Sequence, residues 1–549
     1  MEPRHLGAAG RLPARRTAAL KVAGADCDPT RRGLLKGALA AAAVAAAPAT
    51  AAREGVVALR GGRVRGTRED GAWTFRGLRY GEDTAPRRFR PPRAATAWDG
   101  VRDAVALGPA APQTGALGPG SEDCLFLNLW TPALDPRARR PVLVYLHGGG
   151  YDRGSGADPL TDGGPLCRHG DVVVVTLNHR LNAFGHLFLG NLDPAFAASG
   201  NAGLLDVVLA LAWVRDEIAA FGGDAGNVTL FGQSGGGAKI ASLMAMPAAA
   251  GLFHRAWTMS GQQVTAAGPR AADRRARLCL DALGVAPDAL DRLLALPAER
   301  LLDATRVRDP SPVEDIALYF GPVLDGGALP RHPFWPDAPP QSAAIPMVIG
   351  NTRDETRAFL GHDPAHFALD WDALPAQLER AQYVDLPVAE VIAAYRAMHP
   401  AMTPSEVFFA ATTAGRSWRG AVEELEARAR QGAPTWAYQL DWPSPVEGGR
   451  LRAFHTLDIP LVFGTAGQPD ARTGGGADAM RVSAHMRGAL LHFARHGTPA
   501  HPRLPDWPRY GLAHRETMRF DDPPTLAHDP RGGERRLFAR APFVQRGTL

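Results

Sequence analysis

The chain has 549 residues, enough for two or three average domains, although α/β folds of this length also occur as one domain. Apolar residues make up 45% and charged residues 21%, enough for a large core and ordinary for a soluble protein. The net charge of +5 is carried by residues 1–52, so residues 53–549 are close to neutral and have no excess charge to drive nucleic-acid binding.

Residues 1–52 are predicted to be an export signal, with eight basic and three acidic residues. The stretch 30–36 resembles the twin-arginine motif and contains Arg31 and Arg32. An apolar run, 38–47, is too short to span a bilayer, and 49–51 fits an A-x-A cleavage site. We therefore expect the twin-arginine machinery to export the chain to the periplasm or the medium, without a stable membrane anchor. The alternative is a basic tail retained in the cytoplasm.

The first half of the body alternates predicted strands with one long helix. The helix, 201–221, is apolar on most sides and is therefore expected to be buried. Continuous apolar runs at 141–146 and 171–177 are typical of strands covered on both faces of a parallel sheet. This pattern predicts an α/β fold with a mostly parallel sheet. Further strands are predicted at 56–59 and 73–78, read as an antiparallel hairpin, and at 121–130.

A strand ending in Gly232-Gln233-Ser234-Gly235-Gly236 is followed by a predicted helix at 238–246. A sharp turn between strand and helix forces the serine toward a strained conformation and leaves room only for glycine at 232 and 236. The turn would hold the Ser234 hydroxyl above the sheet, where a base can reach it. In a chain with 61 glycines the pentapeptide alone could be an ordinary loop, so the rest of a site must be found.

Beyond this turn the pattern continues to alternate, and residues 53–549 are read as one domain with helical cap insertions. Strands are predicted at 255–261, 346–350 and 436–440, helices over 270–306 and 478–496, and a helical cap over 360–430. The tail after residue 499 is predicted to be irregular.

A serine nucleophile needs a base to take its proton and a carboxylate to orient that base. Glu355 follows the strand at 346–350, and His455 follows the strand at 436–440, so both can converge on Ser234. The residues alone leave alternatives open. Asp354 or Asp325 could be the acid, and His485, His492 or His496 could be the base.

Taken together, these motifs resemble the type-B carboxylesterases of the carboxylesterase/cholinesterase family, including its bacterial para-nitrobenzyl-esterase-like members, a branch of the α/β-hydrolase fold. The resemblance covers nearly all of residues 55–545. It is carried by the segments 75–92, 121–128, 147–150, 201–206, 221–224, 232–236, 354–355 and 455–464.

The resemblance implies roles for individual residues. Ser234 would be the nucleophile, Glu355 the acid and His455 the base. The amides of Gly149, Gly150 and Gly235 would form the oxyanion hole, each contributing roughly 3 kcal/mol to lowering the barrier. His147, which precedes the glycine run, is expected to support that loop. No metal or organic cofactor is implied.

Two residues beside the nucleophile depart from the family pattern, which usually has Glu before the serine and Ala after it. Here those positions hold Gln233 and Gly235. Gln233 removes a negative charge beside the histidine, so a preference for cationic substrates should weaken. Gly235 keeps its amide and is expected to make the turn less rigid.

The cysteines also argue against a choline-specific enzyme. Cholinesterases carry a disulfide-closed loop with a cation-binding tryptophan before the motif at Cys124. Here the loop at 113–120 is short and has no tryptophan, and Ala111 stands near the partner position. We therefore expect Cys124 to be a free, buried thiol. Cys167 and Cys279 could form at most one bridge.

The resemblance implies a serine hydrolase of small-molecule carboxylic esters that acts through an acyl-enzyme, and the N-terminal segment adds the expectation that it is exported. Acyl transfer to an alcohol, or hydrolysis of carbamates or amides, could use the same residues. A non-catalytic adhesion protein is a further alternative within the family, but those typically lose the serine or the histidine.

Overall fold

The computed structural model describes residues 55–115, 120–310, 317–382 and 384–548, and in these ranges fourteen strands form two sheets. In chain order the strands are β1 Val56–Leu59, β2 Gly62–Arg65, β3 Thr67–Glu69, β4 Ala72–Arg79, β5 Val101–Asp103, β6 Phe126–Thr131, β7 Arg140–Leu146, β8 Val173–Leu177, β9 Gly223–Gln233, β10 Arg255–Met259, β11 Met347–Thr352, β12 Thr435–Leu440, β13 Glu516–Phe520 and β14 Thr525–His528.

The large sheet has the strand order β14-β13-β12-β11-β10-β9-β7-β8-β6-β4-β3. Its centre, from β8 to β13, is parallel, whereas β14 at one edge and β6, β4 and β3 at the other are antiparallel. A small second sheet consists of β1, β2 and β5. The mostly parallel sheet predicted from the apolar runs is therefore confirmed.

The described residues form fifteen α-helices, several of which pack against the large sheet. They are α1 Gly163–Gly170, α2 Asn182–His186, α3 Ala202–Glu217, α4 Gly235–Leu243, α5 Pro269–Leu283, α6 Leu290–Leu294, α7 Ala298–Ala304, α8 Thr356–Leu360, α9 Leu374–Ala381, α10 Val388–Met398, α11 Pro404–Thr413, α12 Arg419–Gln431, α13 Asp458–Phe463, α14 Ala477–His496 and α15 Gly532–Phe538. The predicted cap at 360–430 thus consists of separate helices, with a π-helical turn at Ala414–Trp418 between α11 and α12.

The core lies on both faces of the sheet, because successive side chains of a strand point to opposite sides. In β7, Val142 and Val144 belong to the apolar cluster on one face, and Leu143 and Tyr145 to the cluster on the other. Strands β8, β11 and β12 are buried along their whole length. Their sequences are accordingly rich in apolar residues.

The long apolar helix predicted at 201–221 forms as α3 with a 3₁₀ extension at Ile218–Phe221. The helical stretch Pro194–Phe221 is long and apolar enough to cross a membrane by composition, yet 61% of its most apolar window is buried inside the protein. We interpret it as a core helix packed against the sheet.

Two predictions about the sheet edges were wrong. The runs at 56–59 and 73–78 do not pair with each other, because β1 pairs with β2 in the small sheet while β4 joins the large sheet between β3 and β6. The tail after residue 499 is not irregular, since it supplies β13, β14 and α15. Both edges consist of short strands with many polar residues, which give only a weak apolar signal.

Cys124, Cys167 and Cys279 are all buried and free, as expected for Cys124, and the last two form no bridge. The predicted export signal at 1–52 and the domain boundary at 52/53 lie outside the described residues and stay predictions.

Candidate active site

Ser234 stands between the end of β9 and the start of α4 with φ +55° and ψ −126°, a conformation that L-residues rarely adopt. Its amide donates to the carbonyl of Met259 on the neighbouring strand at 2.8 Å, and its carbonyl accepts from the amide of Ala238 at 3.1 Å. The strained turn is thus anchored to the sheet on one side and to the helix on the other. Its side chain remains partly exposed.

The glycines around Ser234 are required by space. A Cβ atom at Gly236 would lie 1.9 Å from the carbonyl oxygen of Leu146, and one at Gly232 would lie 2.7 Å from the backbone of Gly236. Both distances are far below van der Waals contact, so a side chain at either position would push strand and helix apart. The expectation that only glycine fits at 232 and 236 is confirmed.

Glu355 lies just beyond the end of β11 and is fully buried. Its Oε2 accepts a hydrogen bond from Nδ1 of His455, and its Oε1 accepts from the amide of Thr352 at 3.0 Å and from Asn351 Nδ2 at 3.3 Å. Burial raises the pKa of Glu355, but the charge of His455 and the hydrogen bonds donated to the carboxylate outweigh it and hold this pKa below its usual value. Glu355 is therefore a buried carboxylate aimed at one ring nitrogen.

The alternative acids face elsewhere. Asp354 forms an ion pair with Arg357 at 3.3 Å. Asp325 accepts from Asn201 at 2.9 Å and from two backbone amides of its own turn. The alternative bases His485, His492 and His496 all lie on α14, whereas the ring that contacts Glu355 is that of His455.

His455 lies in the loop between β12 and α13, and only 4% of its surface is exposed. Nδ1 donates to Glu355, and Nε2 lies 3.1 Å from Nε2 of Gln233. The ring packs against Phe359 with centroids 4.6 Å apart. Gln233, the residue before Ser234, therefore lies directly beside the histidine, as predicted.

The loop that follows β7 brings Gly149 and Gly150 to the start of α4. Both have positive φ, +84° and +62°, which favours glycine. His147 Nδ1 donates to the carbonyl of Gly148 at 2.9 Å, so His147 supports the loop as expected. A Cβ at Gly235 would lie only 2.0 Å from the carbonyl oxygen of Gly150. The three glycines predicted for the oxyanion hole thus lie together.

Two buried residues beside this site were missed by sequence reasoning. Asp458 at the start of α13 accepts from the hydroxyl of Tyr438 at 3.1 Å, and burial raises its pKa to about 7, with the nearby charge of Glu355 adding to the shift. Lys239 on α4 is buried against the glycine loop. The available signal for Lys239 was its rarity, since lysine otherwise occurs in the chain only at 21 and 36.

Comparisons with known proteins agree with this geometry. The model of the carboxylesterase family matches residues 53–537. The para-nitrobenzyl esterase of Bacillus subtilis is 36% identical over 493 residues, which cover 88% of this chain and 98% of that protein. The phenmedipham hydrolase of Pseudarthrobacter oxydans is 35% identical over 513 residues, which cover 89% and 98% of the two chains.

A solved structure extends the similarity to three dimensions. The Geobacillus stearothermophilus carboxylesterase EST55 at pH 6.2 superposes with a TM-score of 0.78 at 37% identity, covering 88% of this chain and 100% of that chain. The large parallel sheet with its flanking helices is accordingly an α/β-hydrolase fold. The chain belongs to the carboxylesterase family and is a carboxylic ester hydrolase.

Proposed function

We propose that the chain hydrolyses small carboxylic esters through an acyl-enzyme on Ser234, with His455 as general base and Glu355 as the acid that orients it. Ser234 Oγ attacks the ester carbonyl while His455 Nε2 takes its proton. The tetrahedral intermediate collapses when His455 returns the proton to the departing alcohol. Water activated by His455 then attacks the acyl-enzyme and releases the carboxylic acid and free Ser234.

The observation that carries this proposal is the position of the His455 ring. Nδ1 donates to the buried Glu355 carboxylate, and Nε2 faces Gln233, the residue next to Ser234. A carboxylate on Nδ1 fixes the tautomer whose Nε2 can accept a proton, and it stabilises the imidazolium that forms. Because Glu355 is fully buried, water does not weaken this interaction.

The oxyanion would be held by the amides of Gly149, Gly150 and Gly235. Gly235 is the first residue of α4, whose N-terminal end carries a partial positive charge. The close approach of Gly150 to Gly235 supports a common binding point for the carbonyl oxygen.

The same residues could transfer the acyl group to an alcohol, or cleave carbamates or amides. The outcome depends on which nucleophile reaches the acyl-enzyme and which bond the pocket accepts. A substrate series should therefore include p-nitrophenyl esters of increasing acyl length. It should also include phenmedipham, which appears in the name of one relative. A purely adhesive role is disfavoured because serine, glutamate and histidine are all present.

The direct test is Ser234→Ala assayed with short p-nitrophenyl esters. We expect hydrolysis to fall by roughly 10⁶-fold, to the level set by binding and the oxyanion hole alone. Ser242→Ala is the matched control, because Ser242 is a buried serine on the helix that follows Ser234, and its hydroxyl donates to the carbonyl of Ala238. It should stay within about threefold of wild type. Full activity in a folded Ser234→Ala protein would rule out this mechanism.

We further infer that residues 1–52 direct export by the twin-arginine machinery, so that the enzyme acts in the periplasm or the medium. The support is the Arg31-Arg32 motif, the short apolar run after it and the A-x-A site. This route exports proteins that have already folded, and the described part of the chain has no disulfide to form after export.

A further inference from the structure

Lys239 is unusual in both sequence and structure. Three of the chain's 61 basic residues are lysines, and Lys239 is the one that lies beyond residue 52. It lies on α4, five residues after Ser234, and none of its surface is exposed. A buried lysine is rare unless its ammonium group has specific partners. In a chain that uses arginine almost everywhere else, a lysine here indicates a need for a compact donor.

The partners of Lys239 are backbone carbonyls of the glycine loop. Nζ donates to the carbonyl of Gly150 at 2.8 Å and to that of His147 at 3.2 Å. Each carbonyl shares a rigid plane with the next amide, so these bonds fix the peptide units that begin and end the segment 147–151.

The two peptide units between them are fixed by other residues. The His147 ring donates to the carbonyl of Gly148, which orients the amide of Gly149. The amides of Asp152 and Arg153 donate to the carbonyl of Gly149, both at 3.2 Å, which orients the amide of Gly150. Every peptide plane of the loop is therefore anchored, and Lys239 supplies the anchors at both ends.

Gly235 leaves the space that the carbonyl oxygen of Gly150 occupies beside α4. Because a Cβ at position 235 would lie 2.0 Å from that oxygen, the carbonyl can lie this close to α4 only if residue 235 is glycine. The two features belong together, since Gly235 provides the space and Lys239 provides the hydrogen bond.

Three histidine rings and one tyrosine ring surround Lys239, and burial lowers the pKa of Lys239 to about 7. The rings of His147, His179 and His186 each donate from Nδ1 to a backbone carbonyl, so each keeps an unprotonated Nε2. Burial lowers the pKa of all three, those of His147 and His186 to about 3, and Lys239 adds to the effect. The ring of Tyr151 lies 5.3 Å from Nζ, and Asp152 is the nearby acid.

We propose that Lys239 is a positioning residue that holds the glycine loop against Gly235, so that the amides of Gly149 and Gly150 are aimed at the oxyanion. This inference rests on the proposed function, because it concerns the oxyanion hole of the same reaction. It predicts that loss of Lys239 weakens binding of the transition state and leaves binding of the ester unchanged.

The test compares Lys239→Met, which keeps the length of the side chain but removes its donors and charge, with wild type. We expect kcat to fall roughly 10- to 100-fold with KM within about twofold. The Ki of an aryl trifluoromethyl ketone, which forms an oxyanion on Ser234, should rise by the same factor as kcat/KM falls. Ile240→Ala, an equally buried change on the same helix, controls for lost packing and should leave both constants within threefold.

A second variant covers the case in which Lys239→Met does not fold. Lys239→Gln keeps a shorter donor and should show an intermediate loss in kcat and in inhibitor affinity. If a folded Lys239 variant keeps wild-type kcat, or raises KM while the inhibitor Ki stays constant, the positioning role is wrong.

A double-mutant cycle tests the pairing with Gly235. Gly235→Ala should displace the Gly150 carbonyl and lower kcat, and combining it with Lys239→Met should cost little more than the worse single change. Losses that multiply would show that the two residues act independently and would overturn the pairing.

The activities of two single variants distinguish a failure of this inference from a failure of the proposed function. If Ser234→Ala is inactive while Lys239→Met is fully active, the inference fails and the proposed function stands.

Discussion

At the residue scale, two neighbouring carboxylates, Asp354 and Glu355, have different partners. Asp354 pairs with Arg357, and the buried Glu355 contacts Nδ1 of His455. Side chains one residue apart in a loop point in different directions, so adjacency in sequence does not imply a shared role. The contact of Glu355 with the histidine distinguishes the two carboxylates in the folded protein.

Glu355→Gln should lower kcat about 10³- to 10⁴-fold, because an amide cannot stabilise the imidazolium and can hold the wrong tautomer. Asp354→Asn should stay within about tenfold, since it loses only the ion pair with Arg357 and leaves the contact between Glu355 and His455 in place. Steady-state kinetics on one p-nitrophenyl ester, with thermal melts to confirm folding, measures both. A larger loss in the Asp354 variant would show that the acid is misassigned.

Gln233 is the residue that we expect to set the preference between cationic and neutral substrates. Its amide lies 3.1 Å from His455 Nε2, where the family usually has a carboxylate. The guanidinium of Arg416 lies 3.7 Å from the ring centroid of Phe359, which itself packs on His455. His455 therefore has one negative charge fewer around it than is usual in the family. The cationic side chain of Arg416 also lies near it, on the Phe359 ring.

Gln233→Glu should restore an attraction for cationic substrates. We expect the ratio of kcat/KM for a choline ester to that for its neutral 3,3-dimethylbutyl isostere to rise roughly tenfold, the effect of about 1.4 kcal/mol from one added charge. Gln233→Met, which is similar in size and neutral, is the control and should leave the ratio unchanged. An unchanged ratio in the Glu variant would mean that position 233 does not face the alcohol part of the ester.

At the scale of elements, the central strands and the core helix could be predicted because their sequences carry a strong physical signal. Strands β8, β11 and β12 are buried along their whole length, as is β7 from Val142 on, and all four are rich in apolar residues. Strand β13 and the edge strand β14 are only partly buried, so their polar residues interrupt the pattern and they were missed. The wrong hairpin near residue 60 has the same cause, because the short strands β2 and β3 lie between the two runs that were paired.

The residues of the site likewise divide into those that could be predicted from the sequence and those that could not. Ser234, Glu355 and His455 could be placed from sequence because each follows a predicted parallel strand, and such strand ends meet at one edge of a sheet. The choice among neighbouring acids and histidines came from the family resemblance, since composition and spacing did not separate them. Lys239 could not be found from its pattern, because on a helix a lone lysine more often faces solvent than a loop beneath it.

At the scale of the whole molecule, the predicted export signal and the catalytic domain should be separable in function. Replacing Arg31 and Arg32 together by lysine keeps the charge but removes the guanidinium pair of the twin-arginine motif. We expect esterase activity in the cell envelope and medium to drop at least tenfold while cytoplasmic activity rises. Replacing Arg15 and Arg16 by lysine, outside the motif, is the matched control and should leave export intact. Unchanged export of the Arg31/Arg32 variant would contradict the predicted route.

The central claim is that Ser234 forms the covalent intermediate, and covalent trapping with a fluorophosphonate followed by peptide mass spectrometry tests it most directly. The oxygen of an activated serine attacks the phosphorus of the reagent and displaces fluoride, which leaves a phosphonyl adduct on the serine oxygen. We predict one adduct per chain, located on Ser234, formed at the rate at which activity is lost and absent from Ser234→Ala. An adduct on a different residue that accounts for the loss of activity, or an unlabelled Ser234 in fully inactivated protein, would contradict the account.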